Sequence, residues 1–97
     1  MAKVAALSQQ QVQDGVAKLK NWSVKEGKLH AEFKFDDFVE AFAFMTKVAF
    51  AAESAQHHPE WRNVYNRVTI DLVTHDAGDA ISQNDMDMAR QINTIIG

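Results

Sequence analysis

The chain has 97 residues, 46% hydrophobic and 24% charged, with a net charge of -3; it is one compact domain, too apolar and too weakly charged for disorder. It has no cysteine, which excludes disulfides and thiolate metal sites, and its 10 Lys plus Arg against 13 Asp plus Glu, unclustered, argue against direct nucleic-acid binding. Its most apolar stretch, Phe38 to Ala52, is broken by Glu40, Thr46 and Lys47 and falls short of the ~20 residues of a membrane span.

The leading segment, Met1-Ala2-Lys3-Val4-Ala5-Ala6-Leu7, is too short for the apolar core of a secretory signal. A soluble cytoplasmic protein is therefore expected. No linker or repeat divides the chain, so residues 1–97 read as a single domain. Ser8-Gln9-Gln10-Gln11 has the form of a capping box, with Leu7 and Val12 as its hydrophobic staple, and Val12, Val16 and Leu19 recur at helical spacing. From Trp22 to Phe35 the period drops to two: Leu29, Ala31, Phe33 and Phe35 alternate with Lys28, His30, Glu32 and Lys34, and Glu26-Gly27 sits where a hairpin turn is wanted.

Asp37-Phe38-Val39-Glu40 opens a second helix with two apolar rows, Phe38, Phe42, Met45 and Ala49 beside Phe44, Val48 and Ala51. One row can pack on a sheet. The other needs a second cover, either another helix of the chain or a second copy of it. From Val64 to Thr74 the even positions Val64, Val68, Ile70 and Leu72 are apolar, giving one long or two short strands. Ser82-Gln83-Asn84-Asp85 caps a third helix, stapled by Ile81 and Met86 and continued by Met88, Ile92 and Ile95. Strands with one apolar face belong to a half-covered antiparallel sheet, so the class is α+β.

The chemistry gathers in Glu53-Ser54-Ala55-Gln56-His57-His58-Pro59-Glu60-Trp61. Pro59 disfavours helix at His58, so the second helix ends about here and leaves both imidazoles in a loop. Adjacent residues do not share a helix face, so this is not the i, i+4 pair that grips zinc. His75 lies where the last strand gives way to Asp76-Ala77-Gly78-Asp79, while His30 lies within a strand on its polar face. Taken singly, each of the first three is a solvated residue at an element end; taken together, they are a histidine site, or a three-histidine zinc set of the hydrolytic kind. Glu53, four residues before His57, either pairs with it on the helix surface or orients and charges it. Trp61 and Tyr65 are core aromatics or the flat wall for a planar ligand.

An acidic residue, three residues, His-His-Pro, an aromatic, a strand, a further His and an Asp at a helix start make a multi-element pattern. Glu53, His57, His58, Pro59, Trp61, His75 and Asp85 fill it, and Asn63-Val64-Tyr65-Asn66 and Thr74-His75 fit its usual wording. The whole resembles the pterin-4a-carbinolamine dehydratase family. The loop after His75 is one residue longer than the family's usual form. A count from His75 lands on Asn84, whereas the Ser-x-x-Asp cap selects Asp85, and the cap sets helix register physically.

The resemblance implies a four-stranded antiparallel sheet with three helices on one face, in the order α-β-β-α-β-β-α, assembled as a homodimer or homotetramer. It implies dehydration of 4a-hydroxytetrahydropterin to quinonoid dihydropterin, which recycles the cofactor of aromatic amino acid hydroxylases, with no metal and no organic cofactor. His57, His58 and His75 are then the catalytic residues, with Glu53, Pro59, Trp61 and Asp85 supporting them. Imidazole suits the task, because its ordinary pKa places both protonation states near neutral pH. The resemblance also implies an alternative role, a dimerisation cofactor binding a transcription factor through helix packing, for which the nucleus is a second compartment.

Overall fold

The computed structural model describes residues 4–97; residues 1–3, which begin the segment read above as too short for a secretory signal, lie outside the described residues. The elements are α1 (Gln9–Ala17), β1 (Ser23–Lys25), β2 (Lys28–Lys34), α2 (Phe38–Ala55), β3 (Glu60–Val64), β4 (Arg67–Leu72), a 3₁₀ turn (His75–Ala77) and α3 (Gln83–Ile96). The strands pair antiparallel in the order β1-β2-β4-β3. This is the expected α+β architecture.

The local signals act as their chemistry dictates. Ser8 and Ser82 each form a reciprocal capping box, with Gln11 and Asp85, and the Asp37 carboxylate accepts from the Glu40 N–H at 2.9 Å. Glu26 and Gly27 both adopt left-handed backbone, at φ 52° and 79°, as a two-residue hairpin turn requires. Leu29, Ala31 and Phe33 of β2 and Val68, Ile70 and Leu72 of β4 are buried, and close on Phe44, Val48, Met88 and Ile92 of the helices. Val12 and Val16 of α1 pack on the edge of that core.

The reading of Val64 as part of the apolar face needs correction. Val64 is exposed, because a two-residue turn at Tyr65 (φ 50°) and Asn66 separates β3 from β4. The turn pairs even positions with odd ones, Val64 with Arg67 and Trp61 with Ile70, so Trp61 and Asn63 share the covered face instead. The two asparagines hold this turn. Asn63 donates to the Arg67 carbonyl at 2.8 Å, and Asn66 donates to the Phe35 carbonyl at 2.9 Å.

The rows of α2 also sort differently. Ala41, Phe44, Val48 and Ala52 form the buried row, whereas Phe38, Val39, Phe42 and Phe50 are exposed. Neither α1 nor α3 covers that outer face, and Phe50 is 76% exposed. No helix among the described residues is long and apolar enough to cross a membrane.

Candidate active site

The end of α2 positions the paired histidines. Gln56 takes a left-handed conformation (φ 53°) and donates to the Glu53 carbonyl, and the His57 N–H donates to the Ala52 carbonyl at 3.0 Å. These are the two bonds of a Schellman closure. The chain then leaves the helix axis, so the expected i, i+4 relation between Glu53 and His57 is lost. Glu53 instead accepts from His58, Oε1 to Nε2, at 2.8 Å.

His57 turns the other way, towards the start of α3. Its Nε2 lies 2.5 Å from Asp85 Oδ1, with the imidazole 13% exposed and the carboxylate fully buried. Asp85 stands at the third position of α3, where the helix N-terminus favours negative charge. Its other oxygen accepts from the Thr74 hydroxyl and the Ser82 N–H, each at 2.8 Å. Thr74 Oγ1 is also 2.6 Å from Ser82 Oγ. Thr74 has one hydroxyl proton, and Asp85 takes it, so Ser82 donates to Thr74. Ser82 Oγ in turn accepts from the Asn84 N–H at 3.1 Å. The chain of donors runs from Asn84 through Ser82 and Thr74 to Asp85. A buried carboxylate is tolerable only with such partners.

His75 opens the 3₁₀ turn, and its Nδ1 lies 2.7 Å from Asp79 Oδ1. This pair is exposed, at 72% and 74%. The hydrogen bond to Asp79, and then that carboxylate's charge, raise the His75 pKa above the ordinary imidazole range. Each imidazole thus has a carboxylate of its own. Since a carboxylate accepts, the bonded nitrogen carries the proton, which leaves Nδ1 of His57, Nδ1 of His58 and Nε2 of His75 for exchange.

The three rings line one cleft of about 250 Å³, together with Val4, Gln56, Val73, Thr74, Asp76 and Asn84. Of the residues read from the sequence, His57, His58 and His75 meet there, and Glu53 and Asp85 hold two of them from behind. Trp61 does not line it; the indole is half-buried on the covered face of β3 and packs against the core. Pro59 is half-buried between the histidines and β3 and does not line it either. Asn84, the alternative to Asp85 by counting, is on the cleft wall, and the hydrogen bond to His57 is made by Asp85. His30 is apart from the cleft, bonded across the open sheet face to Asp71 at 2.8 Å.

Thr74, Ser82 and Asp79 surround the histidines without having been read as candidate site residues. Ser82 had a signal as the cap of α3 and Thr74 as the neighbour of His75 in the pattern; Asp79 becomes visible only when the loop folds back on itself. Two larger depressions, each about 350 Å³, lie on the open face of the sheet among charged side chains. One of them is lined by His30, and neither by any of the three clustered imidazoles. Among the described residues, no three His, Asp or Glu side chains converge as a metal-ligand group.

The family model for pterin 4 alpha carbinolamine dehydratase matches residues 5–95. A protein of Solibacter usitatus is 49% identical over 89 residues, covering 92% of this chain and 93% of its own. One of Synechococcus sp. strain WH7803 is 53% identical over 77 residues, covering 79% of this chain and 82% of its own. Both bear the name "Putative pterin-4-alpha-carbinolamine dehydratase". A crystal structure from Brucella melitensis, titled as a transcriptional coactivator/pterin dehydratase, superposes with a TM-score of 0.89 at 38% identity, covering 95% of this chain and 99% of that one. Fold, chain length and sequence agree, and the chain belongs to the pterin-4a-carbinolamine dehydratase family.

Proposed function

We propose that the chain is a hydro-lyase that removes water from 4a-hydroxytetrahydropterin by histidine acid–base catalysis. In this reaction the C4a–O bond breaks as a proton reaches the departing hydroxyl. The N5–H proton is removed, its electron pair forms the C4a–N5 double bond, and quinonoid dihydropterin and water leave. One group must donate a proton and another must accept one. The observation that carries the reading is a single cleft lined by His57, His58 and His75, each held by a different carboxylate. A held imidazole has a defined free nitrogen and little rotation to lose, which is what proton transfer needs. Such transfer contributes typically 10²–10⁴-fold.

The substrate is the carbinolamine that aromatic amino acid hydroxylases release, and the dihydropterin product stands one two-electron reduction from their tetrahydropterin cofactor, so the role is a step in cofactor recycling. A homo-oligomer built through α2 belongs to the same proposal. Phe38, Val39, Phe42 and Phe50 make an apolar outer face on an 18-residue helix, and a second copy of the same face is its self-complementary cover. The coactivator role named for the Brucella protein is the second reading, and it would use this helix face and not the cleft.

The test is dehydration of 4a-hydroxytetrahydropterin by metal-stripped protein. Turnover well above the spontaneous rate supports the reading. No turnover from folded protein rejects it, and turnover only after zinc is restored transfers the cleft to metal chemistry.

A further inference from the structure

Asp85 and Glu53 belong to the pattern that marks the site. Asp79 does not, yet it stands to His75 as they stand to His57 and His58. It lies in the longer loop between His75 and Ser82, and the loop is built around the contact. Gly78 and Asp79 are successively left-handed, at φ 77° and 56°. The reversal lets the Ala80 carbonyl accept from the Thr74 N–H at 2.9 Å, and it aims the Gly78 N–H at the His75 carbonyl at 3.0 Å. Aspartate tolerates the left-handed region better than most residues. The same conformation carries its carboxylate back to the ring.

We propose that Asp79 is a positioning residue for His75: it holds the ring through Nδ1 and leaves Nε2 as the nitrogen that exchanges a proton with the pterin. This rests on the dehydratase reading above. An exposed ion pair alone contributes little, but the neighbouring backbone bonds already fix the loop, so little freedom is spent on making it. Its electrostatic consequence has a definite sign. Asp79 and, more weakly, Glu60 favour the imidazolium, while Lys28 opposes it. Asp76, His57 and His58 line the same cleft; a carboxylate there acts in favour of the cation, and a second charged imidazole acts against it.

The experiment titrates His75 by NMR in the full chain without substrate, for wild type, Asp79→Asn and Asp79→Gly, and measures the pH profile of kcat/KM for the same three proteins. Both substitutions suit left-handed backbone, so the loop is kept while the charge is lost. His75 should titrate at lower pH in both variants, and its Nδ1 proton should lose its protection from exchange. The limb of the pH–rate profile that reports His75 should move in the same direction. Near neutral pH, kcat/KM should fall roughly threefold to tenfold, a fraction of the 10²–10⁴ that a whole imidazole supplies. An unchanged His75 titration overturns the proposal. So does a lowered titration with an unchanged rate profile, which would leave the pair as loop structure only. If wild type does not dehydrate the pterin but His75 still responds to Asp79, the reaction assigned above fails, and Asp79's part in it, while the pairing itself stands measured.

Discussion

His57 Nε2 and Asp85 Oδ1 lie 2.5 Å apart, joining the loop after α2 to the first turn of α3. The contact combines a helix cap with one of the imidazoles proposed to exchange protons with the substrate. The same carboxylate that satisfies the Ser82 N–H selects the tautomer of His57. Asp85→Asn keeps the shape and removes the charge. One of the three donors at this site, His57, Thr74 or Ser82, would then meet an amide N–H, and leaving such a group unpaired costs about 1–3 kcal/mol. Activity should fall, because the carboxylate that holds the His57 ring and its tautomer is lost. Asn84→Ala removes a carboxamide from the cleft wall and leaves that pair intact, so it should keep activity near wild type. The reverse result would return the acidic role to position 84.

Thr74 gives a separate test of the buried network. Thr74→Val is close in shape but deletes the hydroxyl that Asp85 and Ser82 share. It should lower stability by about 1–3 kcal/mol in urea denaturation, and lower kcat/KM through the loosened carboxylate. Thr74→Ser keeps the hydroxyl and should recover most of both. Equal losses in the two variants would mean that methyl packing, not the donor chain, is what Thr74 supplies.

The helix starts, the β1–β2 turn and the strand alternation were legible because each depends on residues within four positions of one another. The histidine cluster was legible as a set, since its members stand at element ends. The pairing inside it was not. Glu53 looked four residues away from His57 as long as helix was assumed, and one left-handed residue, Gln56, reassigned it to His58. The faces of α2 were ambiguous for a different reason. Apolar residues surround the helix, so hydropathy alone could not say that Phe44 faces the sheet and Phe42 faces outward. Trp61 carried a motif position, but sheet register, which no short spacing reports, placed it half-buried against the core.

Loss of an imidazole should be larger than loss of its partner. Replacing His57, His58 or His75 by Ala should cost on the order of 10²-fold or more in kcat/KM while thermal unfolding stays near wild type for the exposed His58 and His75. Chelators should have no effect on any of the proteins. Activity that disappears on chelation and returns with zinc would contradict acid–base catalysis by free imidazoles.

The last prediction separates the two faces of α2. Phe44 and Val48 are core, and Phe44 stacks on Phe33 and Phe35 with ring centroids 5.2 and 5.0 Å apart. A charge there should unfold the chain, since even truncation of a buried Phe costs about 3–5 kcal/mol. Phe42 and Phe50 are exposed, and a charge at either leaves the core intact. If a second copy covers the outer face, wild type should sediment well above the 10.9 kDa of one chain, and Phe42→Glu or Phe50→Glu should yield smaller species with an unchanged far-ultraviolet spectrum. Dissociation should also lower the temperature of unfolding, because a partner bound only to the folded form stabilises it by mass action. A wild-type chain that sediments as a monomer at micromolar concentration would rule out self-association through α2. The outer row, still bare, would then need a partner of another sequence, and the test for it is whether Phe42→Glu abolishes binding while dehydration by the cleft continues.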